Sequence, residues 1–353
     1  MGSTDCLRNL ALVTLYLCLW VRPGQAQIET TDSSSRPDKY PTLNVSGYVQ
    51  FFYRARFDSN RDGIVDPDLF RVQRVRIKFE GRVARHVGYD LEVDPRAPDI
   101  TGILRDAFIS LDYIPRHKLR LGQQKTQFGY ENRESSSRLF TVNRSDVSEN
   151  LSRGVTLRDL GIGLVGRWPV GKGFALEDEL TLVNGSGMNV QADSTKRKNF
   201  WGRIGGRYKR GKLTARLGFS LASGDQQEPG TPGPPVVPGF TFDIKRWGTD
   251  VEIEHPWVFA AAEYVKGKNR GPVSLPDVTQ TLTGYYVLLA GKTPWRFGPL
   301  LRYDQLEAFQ RWTYGGYWGQ PTDPVRLLFN YEVWRDDVGR HDDRMYLWLQ
   351  TRF

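Results

Sequence analysis

The sequence predicts an all-β protein, a transmembrane antiparallel β-barrel of sixteen strands, and three observations carry that prediction. From Val45 onward, segments of about ten residues alternate apolar with polar side chains, and no helical period is sustained. The connections between them alternate short and long. No stretch reaches the roughly 20 apolar residues of a membrane helix. The mean hydropathy of −0.49 is what strands with one wet and one apolar face give even when they cross a bilayer.

The N-terminal end sets the compartment. Arg8 precedes an apolar run over 10–21, and the small residues Gly24 and Ala26 follow, which is the pattern of a secretory signal cleaved near Ala26. The expected organisation is a signal peptide over 1–26, a flexible polar lead-in over 27–44 and a barrel over 45–353. Cys6 and Cys18 both fall in the signal, so the barrel has no disulfide to draw on. The formal charge is +9 for the full chain, and +8 once Arg8, Arg22 and Asp5 leave with the signal. That balance favours anionic partners without naming them.

The strands follow in order. "VSGYVQFFYRARF", "LFRVQRVRIKFEG", "VGYDLEVD", "RDAFISLDY" and "KLRLGQQ" come first, then "LGIGLVGRW", "FALEDELTLVN", "FWGRIGGRYK", "KLTARLGFSLA", "KRWGTDVEIE" and "WVFAAAEYVKG". "LTGYYVLLAG", "GPLLRYDQLEAF", "PVRLLFNYEVW" and "RMYLWLQTRF" bring the count to fifteen. A barrel with both ends on the periplasmic side needs an even number. The tight connections "RVARH", "IPRHK", "PVGKG", "KRG" and "HP" belong on that side, with longer loops outside. Keeping that rhythm makes "RWTYGGYWGQ" the missing strand and "PTDP" a tight turn, for sixteen.

The second strand separates inside from outside. Arg74, Arg76 and Lys78 share one face, and a basic residue facing lipid at mid-membrane costs about 2 to 4 kcal/mol. All three therefore point into the lumen. The same rule places Arg54, Arg56, Arg120, Arg203, Arg207, Arg216, Arg302 and Arg326 inside, together with Asp90, Glu92 and Asp94. The opposite face carries Val45, Val49, Phe51, Tyr53 and Phe57 on the first strand and Leu213, Ala215, Leu217, Phe219 and Leu221 on another. Trp168, Tyr208, Trp257 and Tyr264 near strand ends fit interfacial girdles. A soluble sandwich or propeller with one wet face fits less well, because no blade repeat and no disulfide framework is present.

The stretches "RVQRVRIKFEGRVARHVGYDLEVD" and "LRDAFISLDYIPRHKLRLGQQKTQFG" resemble the phosphate-selective porin O and P family of outer-membrane proteins. Gly122, Gln123, Lys125, Phe128 and Gly129 match that family's Gly-Gln-x-Lys-x-Pro-Phe-Gly segment, with Gln127 in place of the usual proline. The likeness is strongest over 69–168 and returns in the last strands. It implies a homotrimeric barrel in the outer membrane of a Gram-negative bacterium, in contact with its lipids, passing small anions such as phosphate by diffusion. It also implies that Phe353 is the terminal aromatic read by the outer-membrane barrel assembly machinery.

In porins of this type the third external loop folds into the lumen. Here that loop is the connection over 125–155, which would bring Lys125, Arg133, Arg138, Arg144 and Arg153 to a constriction. A solvated surface loop is the plainer alternative. Asp58, Asn60 and Asp62 with Gly63 match the start of a calcium loop, but Leu69 stands where its bidentate glutamate belongs, so a polar external turn is favoured and no metal or other cofactor is assigned. The histidines at 86, 117, 255 and 341 fall in expected turns or loops, and no catalytic or nucleotide-binding motif is present, so neither an enzyme nor a nucleic-acid partner is expected. The rival reading is a receptor or adhesin barrel whose external loops bind a ligand; a third is a general porin of weak selectivity.

Overall fold

The computed structural model describes residues 39–58, 68–97, 100–190, 193, 195–228, 240–271, 279–337 and 342–353. The expected signal (1–26), most of the lead-in, and Asn60, Asp62 and Gly63 of the calcium candidate lie outside those residues. So does His341.

Sixteen antiparallel strands close on themselves. The first half comprises β1 (Asn44–Asp58), β2 (Leu69–Ala84), β3 (Val87–Val93), β4 (Leu104–Leu111), β5 (His117–Lys125), β6 (Arg158–Gly171), β7 (Phe174–Val183) and β8 (Asn199–Arg210). The second half comprises β9 (Leu213–Glu228), β10 (Phe240–His255), β11 (Val258–Arg270), β12 (Thr279–Gly291), β13 (Phe297–Leu306), β14 (Phe309–Trp318), β15 (Val325–Arg335) and β16 (Asp342–Arg352). A short helix α1 (Ile100–Ile103) precedes β4, and α2 (Asp146–Asn150) sits in the connection between β5 and β6. Each strand pairs with its neighbours in sequence, and β1 pairs with β16, with Phe51 opposite Leu349. Closure leaves no open edge, so every strand finds its backbone partners without water, as a membrane requires. Among the described residues no helix is long and apolar enough to cross a membrane.

Alternation sorts the side chains as the sequence predicts. Leu217, Phe219, Leu221, Val287, Leu289, Leu327, Phe329 and Leu347 face outward and are exposed on the bare barrel, while their strand neighbours Ser220, Leu288, Leu328 and Trp348 are buried inside. Trp257, Trp295 and Trp318 stand at the short-turn ends of their strands.

Two bulges interrupt the alternation. In β2 the pairing runs from Gln50 opposite Arg74 to Phe51 opposite Val72, skipping Gln73. The extra residue lets Phe70 and Val72 face outward although strict period two would group them with Arg74. In β4 the pairing skips Arg105, between Glu92 opposite Asp106 and Val93 opposite Leu104. One connection departs from the expected rhythm. Between β13 and β14 the loop-side link is the two-residue hairpin Glu307–Ala308, with Glu307 at φ 52° and its amide donating to the Thr283 carbonyl (3.0 Å). Two of the histidines differ from expectation as well: His117 opens β5 and His255 closes β10. His117 is buried, with Nε2 3.0 Å from Asp178 Oδ2.

Candidate functional site: a cationic lane beside an inward loop

The connection over 126–157 lies within the barrel. Its apolar side chains Phe128, Tyr130, Phe140, Val142, Val147 and Leu151 are buried against inward-facing Trp201, Ile244, Phe259, Val265, Tyr286 and Tyr317 from β8 to β14. Phe140 stacks on Phe259 at 4.7 Å and meets Tyr317 edge-on at 5.1 Å. Gly284 makes room for this packing, since a Cβ there would sit 2.8 Å from Val147 Cγ2. Hydrophobic burial thus fastens the loop to one half of the wall. Polar contacts complete the attachment: the Gly129 amide donates to Ser220 Oγ (3.0 Å) and the Val142 amide to Asn330 Oδ1 (2.8 Å), while within the loop Glu131 accepts from the Ser145 amide and hydroxyl (both 2.8 Å).

Between the pore-facing side of the loop and the wall of β1 to β7, with Arg352 of β16 at its margin, lies an open lane of about 930 Å³. Twelve basic and seven acidic side chains line it. From the wall come Arg74, Arg76, Lys78 and Arg120; from the strand end and the loop come Lys125, Arg133, Arg138, Arg144 and Arg153. The alternation did not reveal Arg105 and Arg158. Arg105 is the bulged residue of β4, so period two misassigns it. Arg158 shares parity with outward Leu160, yet at the start of β6 its guanidinium turns inward to Asp106 (2.6 Å) and Glu92 (3.1 Å).

The lane charges divide by their partners. Six of the seven carboxylates are ion-paired: Glu80 and Asp90 with Lys78, Glu92 with Arg76 and Arg158, Asp106 with Arg158, Glu149 with Arg153 and Glu179 with Arg133. Arg74, Arg105, Arg120, Lys125, Arg138 and Arg352 have no carboxylate within ion-pair distance among the described residues. Arg74 donates to Gln50 Oε1 (3.0 Å), Lys125 to the Glu134 carbonyl (2.9 Å), and Arg120 lies over the Phe108 ring at 5.1 Å. An arrangement whose acids are neutralised and whose surplus is guanidinium and ammonium presents hydrogen-bond donors to an anion and few acceptors to a cation.

Five residues expected on the pathway do not line this lane. Arg203 is about 1% exposed behind the loop and forks onto Asp250 at 2.8 and 2.6 Å. Arg216 pairs with Glu252 and Arg56 with Asp342. Arg54 and Arg207 are half-buried and do not line the lane. Arg302 and Arg326 are fully buried beneath the loop. Phe353 lies on the outer face with its ring over Gly47, where a Cβ would be 2.5 Å away. Asp58 ends β1, and among the described residues no group of three or more metal-binding side chains occurs.

A closed sixteen-strand barrel, apolar outside, charged inside and narrowed by a loop packed within it, defines a porin-type channel. The chain belongs to the phosphate-selective porin O and P family, whose profile matches residues 43–225. Solved structures agree on the fold. An anion-selective porin from Comamonas acidovorans aligns with a TM-score of 0.59 at 14% identity, over 88% of this chain and 99% of that one. The trimer form of OmpT from Vibrio cholerae gives 0.56 at 9% identity, over 88% and 99%. Salmonella typhi OmpF in complex with daunomycin gives 0.52 at 12%, over 88% and 97%. No curated protein matches the sequence.

Proposed function

We propose that this porin is an anion-preferring diffusion channel of the Gram-negative outer membrane, with phosphate among the anions it passes. The observation that carries the reading is the set of six lane cations without a carboxylate partner among the described residues, Arg74, Arg105, Arg120, Lys125, Arg138 and Arg352, beside acids that are almost all neutralised. An anion entering the lane exchanges part of its hydration for charge-assisted donors spread along the path, attractive enough to admit it and divided enough to let it leave. The reading involves no turnover and no cofactor. It takes residues 1–26 as the export signal, 27–44 as the lead-in, Phe353 as the residue read by the barrel assembly machinery, and a homotrimer as the assembled form. Family membership supports the last of these, as does the trimer form of the structurally similar OmpT.

Reversal potentials in planar bilayers under a salt gradient test the central claim. The wild type is expected to favour anions, and Arg74→Gln combined with Arg120→Gln to lower that preference without loss of folded barrel, because neither arginine leaves an orphaned acid behind. Cation selectivity in the wild type would overturn the reading. Phosphate is tested separately, by its ability to reduce chloride conductance in the wild type and less so in the double variant.

A further inference from the structure

A loop of about thirty residues inside a pore brings as many backbone carbonyls with it, and carbonyl oxygens are good ligands for cations. In this barrel a set of them is turned away from the lane. Arg326 of β15 forks onto the loop, with Nη1 donating to the Ser137 carbonyl (2.8 Å) and Nη2 to that of Leu139 (3.0 Å). Arg302 of β13 donates to Asn143 O (2.8 Å) and Arg311 of β14 to Arg144 O (2.7 Å). Arg246 of β10 donates to Leu151 O (2.7 Å) and Arg153 O (2.5 Å). All four arginines are buried and none lines the lane. Gln350 and Arg352 of β16 add donors to the Ser137 carbonyl at 3.2 and 3.1 Å, and Gln50 of β1 adds one to Ser136 O at 3.3 Å.

We propose that Arg246, Arg302, Arg311 and Arg326 are positioning residues for selectivity: they clasp the loop by its carbonyls, hold those oxygens against the wall, and so leave side-chain cations and amide groups on its pore face. The inference rests on the anion reading above and adds to it. The lane cations would supply the attraction, and the buried arginines would remove the cation ligands that a less constrained loop would offer. Chemistry suits the task, because a guanidinium fork reaches two carbonyls in one plane whereas an ammonium is a single point. Arg302 and Arg311 also bond Asp304 at 3.1 and 3.0 Å, so they fix the loop and balance a buried acid together. Arg246 and Arg326 have no carboxylate partner within ion-pair distance among the described residues and can be replaced without stranding one.

The test compares Arg326→Lys with Arg326→Met in planar bilayers, with folded content read from heat-modifiability. If the clasp acts through carbonyl orientation, both variants lower the anion-to-cation permeability ratio, by roughly two-fold or more, because both lose the fork although lysine keeps the charge. A wild-type ratio in Arg326→Lys with a lowered ratio in Arg326→Met would show that the arginine acts through its charge alone, and would overturn the clasp. Unchanged ratios in both would reduce it to a stability element, overturning it equally. Should either protein fail to insert, Arg246→Met, at the other end of the loop, is expected to give the same shift towards cations, and an unchanged ratio there would sink the proposal. A cation-selective wild type would defeat the anion reading instead, and the clasp would still predict a further shift towards cations in these variants.

Discussion

Single residues in this barrel take their roles from their partners rather than from their charge. Arg74 and Arg76 are two apart on one strand and both face inward, yet Arg76 is held by Asp94 at 2.7 Å while Arg74 meets only the neutral Gln50. Neutralising Arg76 would strand buried acids, whereas neutralising Arg74 would not. Asp146, in the inward loop, gives a prediction at the same scale. Burial pushes its carboxyl up to about 7, with nearby Arg311 opposing and Asp304 adding to the rise. A carboxyl raised above its unfolded value of 3.8 contributes its full share to the folded loop below that value and loses it as the pH climbs through about 7. Open-channel noise from loop motion is therefore expected to increase as the pH rises from about 4 to about 7 and to level off above that, and Asp146→Asn to flatten the dependence. Equal pH dependence in both proteins would remove Asp146 as its source.

Among the elements, connections follow the barrel's polarity with one exception. The β14–β15 turn over 319–324 is on the short-turn side, with Asp323 Oδ2 accepting from the Gln320 amide (2.5 Å) and from Arg296 Nε (3.0 Å). The hairpin at Glu307–Ala308 is shorter still but lies on the loop side, and its length alone would assign it wrongly. A membrane-impermeant thiol reagent applied to intact cells distinguishes the two. Cysteine at Glu307 is expected to react and cysteine at Thr322 to be shielded, both residues being exposed at their turns. Reaction at Thr322 in a folded barrel would invert the assigned topology.

For the molecule as a whole, the seam between β1 and β16 completes the sheet. Gly47 and Phe353 exchange backbone hydrogen bonds at 2.9 and 3.1 Å, and the Phe353 ring covers the glycine from the outer face. An aromatic laid over a strand glycine shields backbone that has no side chain of its own. Phe353→Ala is expected to lower the fraction of heat-modifiable barrel, with Phe353→Tyr close to wild type because the ring is kept. Equal folding of the alanine variant would show that the seam closes without that cover. Inside, the apolar loop packing divides the lumen into a filled half against β8 to β16 and an open half against β1 to β7. Fewer arginines therefore line the lane than the sequence places inside.

Much of this was legible in the sequence, because period-two alternation is a local property and the cost of charge in lipid turns it into an assignment of faces. The inward face of β2 follows from that alone, while the strand number and the extra strand β14 also needed the even-strand rule and the alternation of short and long connections. The bulges at Gln73 and Arg105 were not legible, since a bulge is defined by its partner strand. A signal for the inward loop was present in Phe128, Tyr130, Phe140, Val142, Val147 and Leu151, an apolar set with no reason to face water. Where that set would dock depended on β10 to β14 standing opposite in the closed barrel. The sequence by itself determined that charges line the lumen. Only the tertiary structure decided which are neutralised, which grip the loop and which face the lane, because ion pairs form between strands and loops as many as 286 residues apart, as Arg56 and Asp342 are, and only closure brings them together.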